Sequence, residues 1–469
     1  MALQNVEISP LRPERFQEVM HQEGYRAFGE AISSAQEFLG GRIVWNVNST
    51  SRGGGVAEML ASLLAYAHGA GVDARWVVIS GNPDFFRVTK RIHNNLHGAP
   101  GDGGALGPEE HRVYEDNLKS NATEFVSLLS DGDIVILHDP QTAGLVEEVR
   151  ATGAAVVWRC HVGLDTPNDV ARSAWDFLRP YVAPADAYIF SREAFAWERL
   201  DDSKIHVIPP SIDAFSPKNQ ELDKQTVAAI LGRTGLLESG GGDPVFTKHD
   251  GSEARVGRAT EMYGAGPAAA DARLVVQVSR WDALKDPLGV MRGFAEHVAP
   301  ATDAHLVLAG PSVEAVSDDP EGAQVLADAR EMWSELPADT KERVHLACLP
   351  MDDLEENAAI VNALQRRSDV IVQKSLAEGF GLTVAEGMWK ARPVVASKIG
   401  GIQDQIEHGR TGMLIDDPSD LGQYGKLVVD LLNDPEGAER IGAKAKERVQ
   451  EQFLGPRHLM QYLELFQKL

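Results

Sequence analysis

Cysteine is almost absent from these 469 residues. Only Cys160 and Cys348 occur, and neither lies in a CxxC or Cys/His spacing. This excludes a disulfide framework, a zinc ribbon and a cysteine-ligated iron–sulfur centre, and a reducing cytoplasm is the compartment that fits. Long apolar runs are missing as well. No stretch approaches the roughly 18 apolar residues of a membrane span. The first residues, broken by Pro10 and Pro13 and carrying Glu7, Arg12, Glu14 and Arg15, lack the apolar centre of a signal peptide. Positive charge is in deficit: 45 Lys and Arg against 69 Asp and Glu leave a net charge of −24. Neither a nucleic acid nor a membrane is therefore expected as a partner, because phosphate backbones are held by clustered cations. Any anionic ligand must find a local positive site.

What the sequence does hold is a succession of short apolar runs alternating with helix-compatible stretches. Arg42 to Asn48, Arg75 to Ser80, Asp133 to His138 and Ala155 to Arg159 read as buried parallel strands. Val56 to Gly69 and Asn117 to Ser130 read as helices between them, which makes a right-handed βαβ series. A second series runs through Leu274 to Ser279, His305 to Ala309, Val344 to Ala347, Asp369 to Val372 and Pro393 to Ala396. The expected class is α/β, with two doubly wound parallel-sheet domains. His206 to Asp213, with Pro209 and Pro210, is the natural link between them. The expected boundaries are 1–212 and 213–454. The tail helix, apolar at Leu459, Tyr462, Leu463 and Phe466, is expected to dock, with 455–469 packing back on the first domain. Residues 232 to 270, rich in Gly and Ala with a hairpin turn at Asp250-Gly251, read as an insertion without assigned chemistry.

Three stretches carry candidate chemistry. Ser49 to Ala57 contains Gly53-Gly54-Gly55 between a strand and a helix. It lacks both GxGxxG and a Walker ending, and it reads equally as a ligand cradle or as a tight turn. Arg280 and Lys285 lie in the loop leaving a strand, where two cations can neutralise a diphosphate leaving group; the alternative is a solvated surface pair. Ser375 to Glu386 sets Glu378 and Glu386 eight residues apart, with Gly379-Phe380-Gly381 between them and Leu382 and Thr383 at an expected helix start. That helix start offers free amides to phosphate oxygens. Asp131-Gly132-Asp133 spells a metal-binding Asp-x-Asp but precedes its strand, which puts it at the wrong end of the sheet, so it reads as a turn.

The Glu-x7-Glu pattern, the Arg280/Lys285 loop, Arg392 to Gly401 and Gly409 to Leu414 together resemble the retaining GT-B glycosyltransferases of family 4. The resemblance covers most of the chain. It implies a GT-B fold, two Rossmann-like domains facing a central cleft, with acceptor-binding first and nucleotide-sugar donor-binding second. Thr89 to Gly98, His138 to Gln141, Trp158 to His161 and Ile208 to Asp213 resemble the trehalose-forming branch, which holds glycosyltransferring synthases and related phosphorylases. The hinge departs from the Pro-Asn-Gly of many relatives, having Pro-Pro-Ser, and the 232 to 270 insertion is expected to be missing from many of them.

By this resemblance Arg280 and Lys285 hold the diphosphate, Glu378 contacts the donor sugar and His161 lies near the transferred glucose. Gly54, Gly55, Gly379, Phe380, Gly381, Leu382, Thr383 and Glu386 bind the rest of the donor, Glu386 at the ribose. Asp139, Gln141, Arg159, Lys90 and Asn94 surround the acceptor. His138 with Asp139 could instead close a strand and cap a helix, His161 could be a satisfied core histidine, and Arg159 could pair structurally with an acid. The implied activity is reversible transfer of glucose from a nucleoside diphosphate glucose, ADP-glucose favoured, to free glucose, giving α,α-trehalose with retention. No cofactor and no metal are expected to be required. The partners are the sugar nucleotide and glucose or trehalose. The oligomeric state is open, with a homodimer as one form. The rivals are a trehalose phosphorylase, a GT-B sugar-nucleotide epimerase and a non-catalytic binding protein.

Overall fold

A computed structural model describes residues 3–51, 54–238, 241–264, 266–313 and 320–469. The chain forms two compact units, residues 1–211 with 453–469, and residues 212–452. Each is built on a seven-stranded sheet.

In the first unit the strands are β1 (Leu3–Val6), β2 (Val44–Asn48), β3 (Ala74–Ile79), β4 (Ile134–His138), β5 (Ala155–Cys160), β6 (Ala187–Phe190) and β7 (Ile205–Val207), in the order β1-β3-β2-β4-β5-β6-β7. All neighbours are parallel except β1, which pairs antiparallel with β3 from Leu3↔Ile79 to Val6↔Trp76. The inner strands are mostly apolar because helices cover both faces, with Asn46, Asn48, His138 and Arg159 as buried polar exceptions. One face packs Val47, Val135, Leu137, Val156 and Trp158, and the other Val44, Ile134, Ile136 and Val157. The tail helix Gly455–Phe466 joins this second core through Tyr462, Leu465 and Phe466, against Leu39, Met59 and Leu63.

In the second unit a hairpin, β8 (Val245–Thr247) with β9 (Glu253–Arg255), turns through Gly251 at φ +85°. The main sheet comprises β10 (Glu261–Tyr263), β11 (Leu274–Val278), β12 (His305–Pro311), β13 (Val344–Leu349), β14 (Val370–Gln373), β15 (Val394–Ser397) and β16 (Met413–Ile415), in the order β10-β13-β12-β11-β14-β15-β16. It is parallel apart from β10, which runs antiparallel to β13. The segment read as an insertion is therefore structural. It supplies this edge strand, and Leu236, Leu237, Phe246, Val256 and Ala268 enter the core against Leu274, Val276 and Ile360. The helix expected over Asn117 to Ser130 spans Pro108–Val126, started by Pro108 and Glu110, whose carboxylate accepts from the Gly107 amide at 2.9 Å. The strand β7 runs into the start of the segment read only as a linker, taking up His206 and Val207.

Each sheet reverses its strand order beside one strand. In the first unit the reversal falls between β2 and β4, and in the second between β11 and β14. The carboxyl ends of the strands at such a reversal flank a crevice, the default ligand position of an open α/β sheet. Among the described residues no helix is long and apolar enough to cross a membrane, and both cysteines are free thiols.

Candidate active site

The second unit places its candidate groups on either side of its reversal point. After β11 the chain makes a turn at Ala283–Lys285 capped by Asp282, whose carboxylate accepts from the Leu284 amide at 2.8 Å. Arg280 is exposed and donates to the same carboxylate at 3.1 Å. Lys285 turns inward: its Nζ donates to Glu378 Oε2 at 2.6 Å, and both side chains are mostly enclosed, 18% and 12% exposed. The loops are stitched by main chain as well, the Leu376 amide donating to the Leu284 carbonyl at 2.7 Å. A cation and a carboxylate are thus held together where β11 and β14 end.

The Gly-Phe-Gly run between the two glutamates has a steric reason. Gly381 has φ +83° and opens the helix Leu382–Trp389, with Thr383 in its first turn. From the next crossover Gly401 donates to the Gly379 carbonyl at 2.9 Å, and Gln405 donates to the Phe380 carbonyl at 2.5 Å. Gly400 has φ +46°, and a Cβ there would overlap the Glu378 carbonyl oxygen. Gly400→Ala should therefore displace the Glu378 loop and lower turnover by on the order of tenfold or more. Turnover rates with the far-UV spectrum as a folding control check this, and wild-type turnover would contradict the packing described.

Glu386 is the fifth residue of that helix and is buried. Its Oε1 lies 3.6 Å from Lys218 Nζ, while Oε2 is buried without a hydrogen-bond partner. Lys390, one turn on, donates to Asn219 Oδ1 at 2.8 Å and to the Glu386 carbonyl at 3.1 Å. Burial pushes its ammonium below the usual lysine range, with the Glu386 carboxylate opposing. A dehydrated carboxylate oxygen lacking a donor favours a ligand that brings one, such as a hydroxyl.

In the first unit the candidates gather after β2, β3, β4 and β5. Gly54, exposed at φ +83°, and Gly55 open the helix Gly55–Gly69, whereas Arg52 and Gly53 of that turn lie outside the described residues. Lys90 is exposed and Asn94 half-buried, one turn apart on the helix Pro83–Leu96, which packs on the short helix Asp139–Thr142 bearing Asp139 and Gln141. Asp139 has φ 63°, an uncommon conformation for a residue with a side chain. Its Oδ1 accepts the His161 amide at 2.8 Å, and burial raises its carboxyl to about 7 against that bond and the charge of Arg159. At the other end of β4 the Asp133 carboxylate accepts from the amides of Ile43 and Ser130, each at 3.0 Å, and from Trp45 Nε1 at 3.1 Å.

Arg159, expected beside the acceptor, is fully buried and engaged inside the unit. It donates to Tyr462 Oη at 2.6 Å, His458 Nε2 at 3.0 Å, the Ile208 carbonyl at 3.0 Å and His161 Nδ1 at 3.4 Å. An arginine can only donate, and that fixes the tautomers around it. His161 Nδ1 must be the acceptor, so its Nε2–H donates to His138 Nδ1 at 3.2 Å, and His138 Nε2–H donates to Asn46 Oδ1 at 3.0 Å. On the other branch His458 Nδ1–H donates to Ser211 Oγ at 2.9 Å. Burial, reinforced by Arg159, lowers His138 to about 3 and holds His161 and His458 well below the usual histidine value. His161 is therefore a neutral ring with both nitrogens in use, unsuited to donating a proton near neutrality. Arg159 sits at the centre of a network with Asn46, His458 and Tyr462 that was missed in the sequence. Only the shared helix face of His458 and Tyr462 hinted at it.

Residues 46–197 match the family model described as trehalose synthase, N-terminal domain, and residues 350–448 match that described as glycosyl transferases group 1. The trehalose synthase of Pyrococcus horikoshii is 36% identical over 93% of this chain and 92% of its own length. That of Rubrobacter xylanophilus is 35% identical over 94% of each. Among solved structures, the UDP-forming trehalose-phosphate synthase from Burkholderia xenovorans shares the fold, with a TM-score of 0.65 at 16% identity over 91% of this chain and 98% of that one. These likenesses join the two-sheet GT-B architecture to trehalose-related glycosyl transfer, and the chain belongs to the trehalose synthase family of glycosyltransferases.

Proposed function

We propose that this chain transfers glucose reversibly from a nucleoside diphosphate glucose, ADP-glucose favoured, to the anomeric hydroxyl of free glucose, giving α,α-trehalose with retention. The observation that carries the reading is Glu386, eight residues after Glu378 on the helix that follows its loop, whose buried Oε2 lacks a hydrogen-bond donor. A ribose hydroxyl supplies that donor, and inorganic phosphate has no ribose to offer. In this reading Arg280, Lys285 and the amides of Leu382 and Thr383 receive the diphosphate. Glu378 accepts from hydroxyls of the donor sugar. Asp139, Gln141, Lys90 and Asn94 receive the acceptor, with His161 as a fixed wall.

The anomeric carbon's bond to the phosphate oxygen breaks as its bond to the acceptor oxygen forms on the same face. The acceptor's proton passes to the departing phosphate oxygen. Charge accumulating on the diphosphate is stabilised by cations already in place, at little reorganisation cost. The side-chain cations supply that stabilisation without a metal, so activity is expected to persist in excess chelator.

The reverse reaction tests the reading. Trehalose is incubated with ADP, UDP or inorganic phosphate. Formation of a glucose nucleotide from ADP or UDP, and none of glucose 1-phosphate from phosphate, is the expected result. Glucose 1-phosphate from phosphate alone would overturn it in favour of a phosphorylase.

A further inference from the structure

Lys374, the first residue after β14, is 1% exposed, so its ammonium is withdrawn from bulk solvent. It is held by the Asp286 carboxylate and by the Pro418 carbonyl, the latter at 2.6 Å. These three residues come from three different loops at the carboxyl edge of the second sheet, those following β14, β11 and β16. Asp286 directly follows Lys285. It adopts φ 51° and ψ 51°, which is uphill for a residue with a Cβ. It also caps the helix Pro287–Gly293, its Oδ1 accepting the Gly289 amide at 3.0 Å. That bond leaves its other oxygen to the Lys374 ammonium. Gln277 Nε2 donates to the Lys285 carbonyl at 2.7 Å. The turn that presents Lys285 is therefore held at two successive residues, Lys285 by Gln277 of β11 and Asp286 by Lys374, which lies four residues before Glu378.

We propose that Lys374 is a positioning residue of the donor site, acting through Asp286 to hold Lys285 in register with Glu378 across the β11–β14 reversal. The inference deepens the functional reading above and rests on Lys285 as a diphosphate ligand. A buried ion pair is poor evidence of added stability, since its desolvation cost offsets much of its attraction. This one joins the two loops whose cation and carboxylate meet at 2.6 Å. Misplacing a catalytic group by an ångström costs about a hundredfold in rate, so the geometry gives the pair a catalytic consequence even at no gain in stability.

The test compares Lys374→Met, Asp286→Asn, the double variant and Lys374→Arg, with Lys285→Ala as the control, in the full chain. Asn at 286 still accepts the Gly289 amide, so the helix cap survives if Lys374→Met does not fold. The measurements are kcat and KM for ADP-glucose and UDP-glucose at saturating glucose, KM for glucose, calorimetric affinity for ADP and UDP, and melting temperature. The expected result is a loss of about 10- to 100-fold in kcat/KM for the nucleotide sugar in Lys374→Met and in Asp286→Asn, with KM for glucose within twofold. The double variant should be no worse than the worse single, because the two residues act as one unit, and Lys374→Arg should restore most of the loss. Donor kcat/KM within threefold of wild type in Asp286→Asn, or a KM for glucose raised tenfold or more in the single variants, would overturn the proposal. If Lys285→Ala is itself fully active, the reading of Lys285 fails. If Lys285→Ala collapses while Asp286→Asn does not, only the role of Lys374 fails.

Discussion

Replacing Lys285 with alanine is expected to lower turnover by about 10²- to 10³-fold, the usual consequence of deleting one preorganised group that stabilises transition-state charge. Two effects add here. The variant loses the cation opposite the developing diphosphate charge, and it releases Glu378, whose carboxylate Lys285 neutralises at 2.6 Å. An uncompensated carboxylate left in the same enclosed loop would repel the phosphates it formerly helped to admit. Arg280 cannot replace the lost charge, because it is 64% exposed and bound to Asp282. Arg280→Ala should accordingly cost less than Lys285→Ala. Rates at saturating donor and acceptor, with melting temperature as the control for folding, check both. A Lys285→Ala enzyme that is folded and near wild-type in rate would remove this residue from the mechanism.

The first unit should lose stability steeply on mild acidification. His138, His161 and His458 are held neutral in the folded chain, with values below the ordinary 6.5, so between pH 6 and 5 the unfolded chain carries three protons there that the folded one lacks. Asp139 works in the opposite sense. Its folded value of about 7 lies above the ordinary 3.8, so in the same window the folded chain holds one proton that the unfolded one lacks. The three histidines outweigh the one aspartate, so folding stability falls as pH falls, by on the order of a kcal/mol or more per pH unit. His206 is shifted in the same direction and adds to the slope. Urea unfolding of the full chain at pH 6.0 and 5.0, followed through the tryptophans of the first unit, measures it. A midpoint independent of pH would contradict a neutral histidine network around Arg159.

Much of this architecture was legible because inner parallel strands must be apolar on both faces. The runs that became β2, β4, β11 and β14 therefore stand out from the chain around them. The Glu378 loop was legible for a related reason: Gly381, Gly400 and Gly401 are required where two loops pass in contact, and close packing of backbone leaves a trace in composition. The edge strands left no such trace. Leu3–Val6 and Glu261–Tyr263 are too short and too exposed to show a period, and only pairing with β3 and β13 makes them strands. The role of Arg159 was hidden by distance, since His458 lies 299 residues along the chain. An arginine beside a histidine reads equally as a ligand contact or as an internal clamp until its partners are known. Lys374 and Asp286, 88 residues apart, were hidden for the same reason, although each directly adjoins a segment whose pattern was recognised.

Forward transfer tests the central claim most directly. Purified chain is incubated with ADP-glucose, UDP-glucose or GDP-glucose together with ¹³C-labelled glucose, and products are read by carbon NMR. The account predicts a non-reducing disaccharide with both anomeric centres α, labelled in one ring, with one nucleoside diphosphate released per disaccharide and ADP-glucose the best donor. No disaccharide from any of the three donors, with the same preparation releasing glucose 1-phosphate from trehalose and phosphate, would contradict it.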